Sequence, residues 1–224
     1  MARPTPAIVP VFATPFAVVP VAASAELNAA LGALFLAHAT EAFRDPLAPP
    51  DPLCFRSRED LFEWPDPVVG QLRREMLAGV CAAVMAVSLY SEAEFSELKI
   101  QARARFLIVR ADGCIPAGSA PMASWVAHYC VAAPPPPAPA RADSGVVRLY
   151  GTRSATMFKD AANWNLREPF GGSHQVWRPV PGTIAVFPAS IVHEVALNRT
   201  DSDLVLVSAR VRFSHSAQSA APPW

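Results

Sequence analysis

The hydrophobic period of this chain changes once, and that change limits what it can fold into. Up to about residue 96, apolar residues recur at helical spacing; from Leu98 onward they alternate with polar ones. A helix buries one stripe and a strand buries one face, so the two patterns need different partners. Helices first and many short strands after point to a helical layer packed on a β-sandwich or jelly roll. The expected fold class is therefore α+β, with a jelly-roll core and N-terminal helices packed on it.

Prolines mark where the elements stop. Residues 8–22 interleave short apolar runs with Pro10, Pro15 and Pro20, which suits an edge strand and not a helix. Ser24 is read as the cap of a first helix whose Leu27, Leu31, Leu34 and Phe35 share a face, fading between Thr40 and Arg44. Residues 45–53 hold four prolines and read as a loop. A second helix opens after Asp66 with Pro67 in its first turn. Its stripe is Val69, Leu72, Met76, Val80, Val84 and Val87, and its expected end lies near Tyr90. The expected strands cover 97–109, 124–132, 145–150, 182–187, 193–196 and 204–213, with a polyproline spacer after Ala133. There is no internal repeat. The chain reads as one domain over 1–224, with a strand and helical layer in 8–96 and the jelly-roll core in 97–213.

Composition narrows the function classes. Nineteen basic residues balance nineteen acidic ones, so no phosphate-tracking surface supports nucleic-acid binding. Hydrophobic residues make up 52% of the chain, enough for a core, although much of it is alanine. Cys54, Cys81, Cys114 and Cys130 are far apart and read as free thiols. N-terminal prolines break any signal helix and no apolar run is long enough to span a bilayer, so a cytoplasmic protein without a membrane partner is expected. A small-molecule or peptide substrate is the expected partner, and a homodimer stays open.

One segment carries chemical information: Pro179-Val-Pro-Gly-Thr-Ile-Ala-Val-Phe-Pro-Ala-Ser-Ile-Val-His193-Glu-Val. It reads as a turn, a buried strand, a second turn, and a histidine opening the next strand. A neutral imidazole there can ligate a divalent metal. On the strand over 204–213, Leu204, Leu206, Ser208 and Arg210 share one face, and Val205, Val207, Ala209 and Val211 share the other. Both faces are mostly apolar, so Arg210 needs an anion: a carboxylate side chain or a carboxylate ligand. His128 and Cys130 share a face of the strand over 124–132, Asp112 lies in the preceding loop, and His174 reads as a loop residue. His38 reads as a partly buried helical side chain. Asp160-Ala-Ala-Asn-Trp-Asn, with Arg153 and Arg167, reads as a polar loop over the barrel mouth, and Trp125, Trp164 and Trp177 as core or rim residues.

The segment around His193 resembles the distal half of the 2-oxoglutarate/Fe(II)-dependent oxygenases, and most of all their small bacterial branch. Val11-Phe-Ala-Thr-Pro-Phe, Leu27-Asn-Ala-Ala-Leu and Ser124-Trp-Val-Ala-His-Tyr-Cys-Val are similar to that branch's opening strand, first helix and a core strand. The resemblance implies a double-stranded β-helix, Fe(II) held by a facial triad, and 2-oxoglutarate on the open positions. By it His193 is the distal ligand, and the proximal pair falls on Gly118 and Ala120, neither of which has a ligating side chain. The basic residue for the 2-oxoglutarate carboxylate falls near Leu204, and Arg210 further along the same face is the substitute. A rebuilt ligand set would draw on His193, His128 and Asp112. Two readings follow: a diverged protein with an incomplete triad, a binding role and no cofactor, or an active Fe(II)/2-oxoglutarate hydroxylase with rearranged ligands. A cupin-like binder of sugars or small acids is the third.

Overall fold

The computed structural model of the chain describes residues 13–135, 142–151 and 174–215. Strand β1 (Ala17–Pro20) precedes helix α1 (Ser24–His38), strand β2 (Cys54–Arg56) and a 3₁₀ turn over Leu61–Glu63. Helices α2 (Pro67–Met85) and α3 (Glu92–Ser96) come next. The strands that follow are β3 (Leu98–Val109), β4 (Ile115–Gly118), β5 (Trp125–Ala132), β6 (Val147–Tyr150), β7 (His174–Trp177), β8 (Thr183–Pro188), β9 (Val192–Val195) and β10 (Leu204–His215). They form a six-stranded sheet in the order β1-β8-β5-β10-β3-β2 and a four-stranded sheet in the order β4-β9-β6-β7. Every strand pairing within them is antiparallel. The expected α+β architecture, a double-stranded β-helix behind N-terminal helices, is what the chain adopts.

Two hydrophobic clusters follow from strand alternation. On one face of the six-stranded sheet, Phe106, Ile108, Ala127, Tyr129, Ile184 and Val207 pack against Leu27, Leu31 and Phe35 of α1 and Leu72, Met76 and Val80 of α2. On the other face, Leu107, Val126, Cys130, Phe187, Leu204 and Leu206 meet Val147, Leu149, Trp177 and Val195 of the smaller sheet. Strand β10 lies between β3 and β5 and is covered on both sides, as its two apolar faces require. Val205 and Val207 turn to the helices, and Leu206, Ser208 and Arg210 turn to the space between the sheets.

Local chemistry explains the element boundaries. The Asp66 carboxylate accepts from the Val68 N–H at 2.8 Å and Pro67 opens α2, as the sequence suggests. The 180–183 turn bonds the Thr183 N–H to the Val180 carbonyl at 3.1 Å, with proline second and glycine third. Gly182 has φ 82°, and a Cβ there would collide with Ser24 Oγ, so the turn into β8 needs glycine.

Several expectations are corrected. Ser24 is not the cap of α1: the preceding Ala23 is left-handed at φ 49° and no side chain caps the helix. Helix α2 ends at Met85, because beyond Val84 the stripe finds no partner and Val87 is exposed. A separate short helix then starts at the Ser91–Glu94 capping box. Strands β2, β4 and β7 are additional, and His174 lies in β7, opposite Tyr150. The edge position of β1 agrees with its prolines. Residues 136–141, in the polyproline tract, and the loop bearing Arg153, Asp160, Trp164 and Arg167 lie outside the described residues. Among the described residues, no helix is long and apolar enough to cross a membrane.

Candidate functional site

The space between the sheets opens into a cavity of about 220 Å³ lined by residues from both. Strand pairing explains which side chains meet there. Residues opposite one another in an antiparallel pair share a face, so Ala185, His128, Ser208 and Arg105 form one row across β8, β5, β10 and β3. The adjacent row, toward β2, runs through Cys130, Leu206, Leu107 and Arg56. From the smaller sheet, β9 contributes His193 and Glu194, and β4 contributes Gly118.

His193 and His128 meet in this cavity, as the sequence allowed. Their ring centroids lie 5.1 Å apart at an interplanar angle of 62°, and Phe187 packs on both, 4.9 Å from His193 and 5.5 Å from His128. His193 Nδ1 lies 3.0 Å from the Ile191 carbonyl, which can only accept, so Nδ1 carries the proton and Nε2 keeps its lone pair. His128 is 3% exposed and neither ring nitrogen has a hydrogen-bond partner. Burial pushes the His128 pKa well below the usual histidine value, and the neighbouring His193 adds to the shift. Burial also lowers His193, opposed by its bond to Ile191. Both rings are therefore neutral near pH 7.

Two neutral imidazoles are good metal donors, but a facial triad needs a carboxylate beside them. Gly118 is the direct cross-strand partner of His193, and a Cβ built on it would meet nothing within 4 Å. The space beside His193 on β4 is therefore open. Ala120 packs in the apolar cluster between the sheets. Asp112, expected to complete the set, does not join it. It is exposed in the β3–β4 turn at φ 59° and its N–H bonds to the Asn198 carbonyl at 2.7 Å. Because β4 runs antiparallel to β9, stepping back from Gly118 through Ile115 leads past Val195 and away from His193. His174 stays outside as well, since β6 separates β7 from β9. Cys130 shares the His128 face, yet burial pushes its pKa up to about 12 and keeps it a thiol. Among the described residues, no group of three or more His, Cys, Asp or Glu is close enough to hold a metal ion.

Arg210 does line the cavity, and its anion is a side chain. Glu59, in the segment after β2, accepts from Arg210 through Oε2 and from Arg105 through Oε1. Arg105 also donates to Asp45 at 2.6 Å. Arg56 lines the same cavity from the inner face of the edge strand β2. Sequence reasoning missed Glu59 and Arg56, because no spacing links residues 56–59 to a strand some 150 positions later. The one signal was Cys54-Phe55-Arg56, an alternating triplet directly after the loop over 45–53. His38, by contrast, is structural: Nδ1 bonds to the Leu34 carbonyl at 2.8 Å and the ring packs on Phe43 and Trp64.

No protein-family model matches the sequence, and no curated protein matches it closely enough to count as a relative. Solved structures do match. A prolyl-4-hydroxylase of Pseudomonas putida superposes with a TM-score of 0.58 at 13% identity, covering 89% of this chain and 92% of that one. SnoK, a non-haem alpha ketoglutarate dependent carbocyclase from nogalamycin biosynthesis, gives a TM-score of 0.60 at 9% identity over 88% and 79% of the two chains. HygX from Streptomyces hygroscopicus, with nickel and 2-oxoglutarate bound, gives 0.56 at 12% identity over 91% and 84%. At such identities a likeness speaks for the fold, and the fold of this chain is that of the 2-oxoglutarate-dependent oxygenases.

Proposed function

We propose that this chain is a diverged protein on the oxygenase fold whose metal triad is incomplete and whose cavity binds a small molecule. The carrying observation is Gly118 opposite His193, with open space where a proximal ligand side chain would stand. The residues present do not fit an Fe(II) facial triad, since the two imidazoles have no carboxylate with them among the described residues. What the chain's own residues supply is a neutral imidazole pair, His128 from the six-stranded sheet and His193 from the smaller one, and an arginine–glutamate cluster on the six-stranded sheet beside it. That arrangement orients and holds a polar ligand.

A second reading has one observation in its favour. His128 is buried with both nitrogens unpartnered, and its ring lies 5.1 Å from that of His193, a spacing that two imidazoles on one metal can adopt. This would be an active hydroxylase using Fe(II) and 2-oxoglutarate with a rearranged ligand set. Anaerobic Fe(II) titration of the wild type and His193→Ala, followed by a succinate-release assay with 2-oxoglutarate, separates the two. The binding-module reading expects no stoichiometric iron and no succinate. Stoichiometric Fe(II) lost in His193→Ala, with succinate release, would overturn it.

A further inference from the structure

Away from the cavity, one edge of the six-stranded sheet is open. Strand β3 pairs with β10 along its whole length, but on its other side β2 reaches only Leu107–Val109. Ser57 extends that cover by one residue: its N–H donates to the Phe106 carbonyl at 3.0 Å, and the Phe106 N–H donates to Ser57 Oγ at 2.9 Å. Asp60 then bridges Ala104. Phe106 thus points its backbone groups away from β10, and because that direction alternates along a strand, Ala102, Ile100 and Leu98 point theirs the same way. Ile100 and Ala102 find no hydrogen-bond partner on that side among the described residues. The open stretch is closed at one end by the Asp60 bridge and at the other by α3, which ends at Ser96. Ile100 is its midpoint.

Apolar side chains flank this edge. Ile100 is 37% exposed, with Leu98 and Ala102 on the same face. The segment 87–90 is pinned to the same tip, since Tyr90 Oη lies 3.1 Å from His215 Nε2 and His215 pairs with Leu98. Its Val87, Leu89 and Tyr90 are exposed as well. Unpaired backbone groups beside apolar side chains form a template for another strand. We propose that a second copy of this chain docks there, antiparallel, edge to edge about a two-fold axis at Ile100. The outward-pointing residues are symmetric about Ile100, so the edge is its own complement, and an isologous contact closes at two copies. Ile100 faces Ile100 of the second copy, and Leu98 faces its Ala102. On the other face Lys99 meets the second copy's Gln101, and the exposed Glu97 comes level with its Arg103, so no like charges are opposed. Other registers fail. An axis at Ala102 needs the Ala104 edge that Asp60 occupies and sets Lys99 against Arg105. An axis at Gln101 presents backbone groups already bonded to β10 and sets Lys99 against Arg103.

The test is sedimentation velocity of the full chain over a series of concentrations. A reversible monomer–dimer equilibrium is expected for the wild type. Ile100→Asp and Ile100→Lys each place two like charges on the axis and should weaken dimerisation by about tenfold or more. Mixing the two variants in equal amounts should restore the dimer, because this register brings residue 100 of one copy against residue 100 of the other. Circular dichroism and melting temperature establish that both variants are folded. If they are not, Glu97→Lys at its exposed site carries the test, and it should weaken the dimer several-fold. A wild type that stays monomeric, dimers that persist in the folded variants, or a mixture that associates no better than either variant alone would each overturn the proposal.

Discussion

Gly118 faces His193 across the β4–β9 ladder, and nothing fills the space beside its Cα. A strand residue paired with a candidate ligand is where a second ligand does most, because direct cross-strand partners bring their Cβ atoms within about 5 Å. Here the partner has no Cβ at all.

Replacing the missing side chain is therefore informative. Gly118→Asp should fold, since its Cβ meets no neighbour and its φ is not in the left-handed region. It is expected to raise Ni(II) or Fe(II) affinity by about tenfold or more over wild type. His193→Ala in the same background should cancel the gain. Equal metal affinity in the single variant and the wild type would show that β4 and β9 do not present a shared coordination position.

Acid should act through His128. Its folded pKa lies below the unfolded value of 6.5, so the unfolded chain takes up more protons once the pH falls through that value. Stability contributed by the neutral imidazole is complete above pH 6.5 and declines below it, by at most about 1.4 kcal/mol per pH unit for one ring. Melting curves between pH 7.5 and 5 should show the wild type losing ground against His128→Leu. Parallel curves for the two proteins would contradict a neutral, buried His128.

The Glu59 bridge should matter to folding. Glu59 is mostly buried and ties β3 to β10 through Arg105 and Arg210. Glu59→Gln keeps the shape and removes the charge, leaving two guanidinium groups with a weaker partner. A loss of about 1–3 kcal/mol in urea unfolding is expected. A change below about 0.5 kcal/mol, as for ordinary surface sites, would mean that solvent already satisfies the arginines.

Helix docking can be checked at Phe106. Its ring stacks on Phe35 of α1 at 4.5 Å with the planes 1° apart, and Phe55 and Trp64 lie within 6.1 Å. Both Phe106 and Phe35 have no exposed surface. Phe106→Ala should cost about 3–5 kcal/mol, since the cavity is walled by rigid rings that cannot collapse into it. A cost under about 1 kcal/mol would show that the helical layer repacks freely.

Much of the fold was legible because alternation and proline placement are local signals. The long strands β3, β5 and β10 and the stripe of α2 each state their buried face in their own residues. Strand β4 was not legible: Ile115-Pro-Ala-Gly has no alternation, and only its ladder with β9 makes it a strand. In the site, His193 and His128 were readable as a pair because each shows its face within its strand. Asp112 reads from the sequence as lying in the loop before the strand over 124–132, and only the fold shows that this loop holds it in the β3–β4 turn, its N–H bonded to the Asn198 carbonyl.

What the sequence by itself determined is the layer order, the face each long strand buries, and the presence of His193 at a strand start. Those follow from local periods and from residue types. The tertiary structure alone decided which charge meets which, Glu59 on Arg105 and Arg210, and that His128 is sealed with its nitrogens unsatisfied. Ion pairing and desolvation depend on distances between chain segments up to about 150 residues apart. No periodicity encodes them; they arise only when the two sheets close on one another.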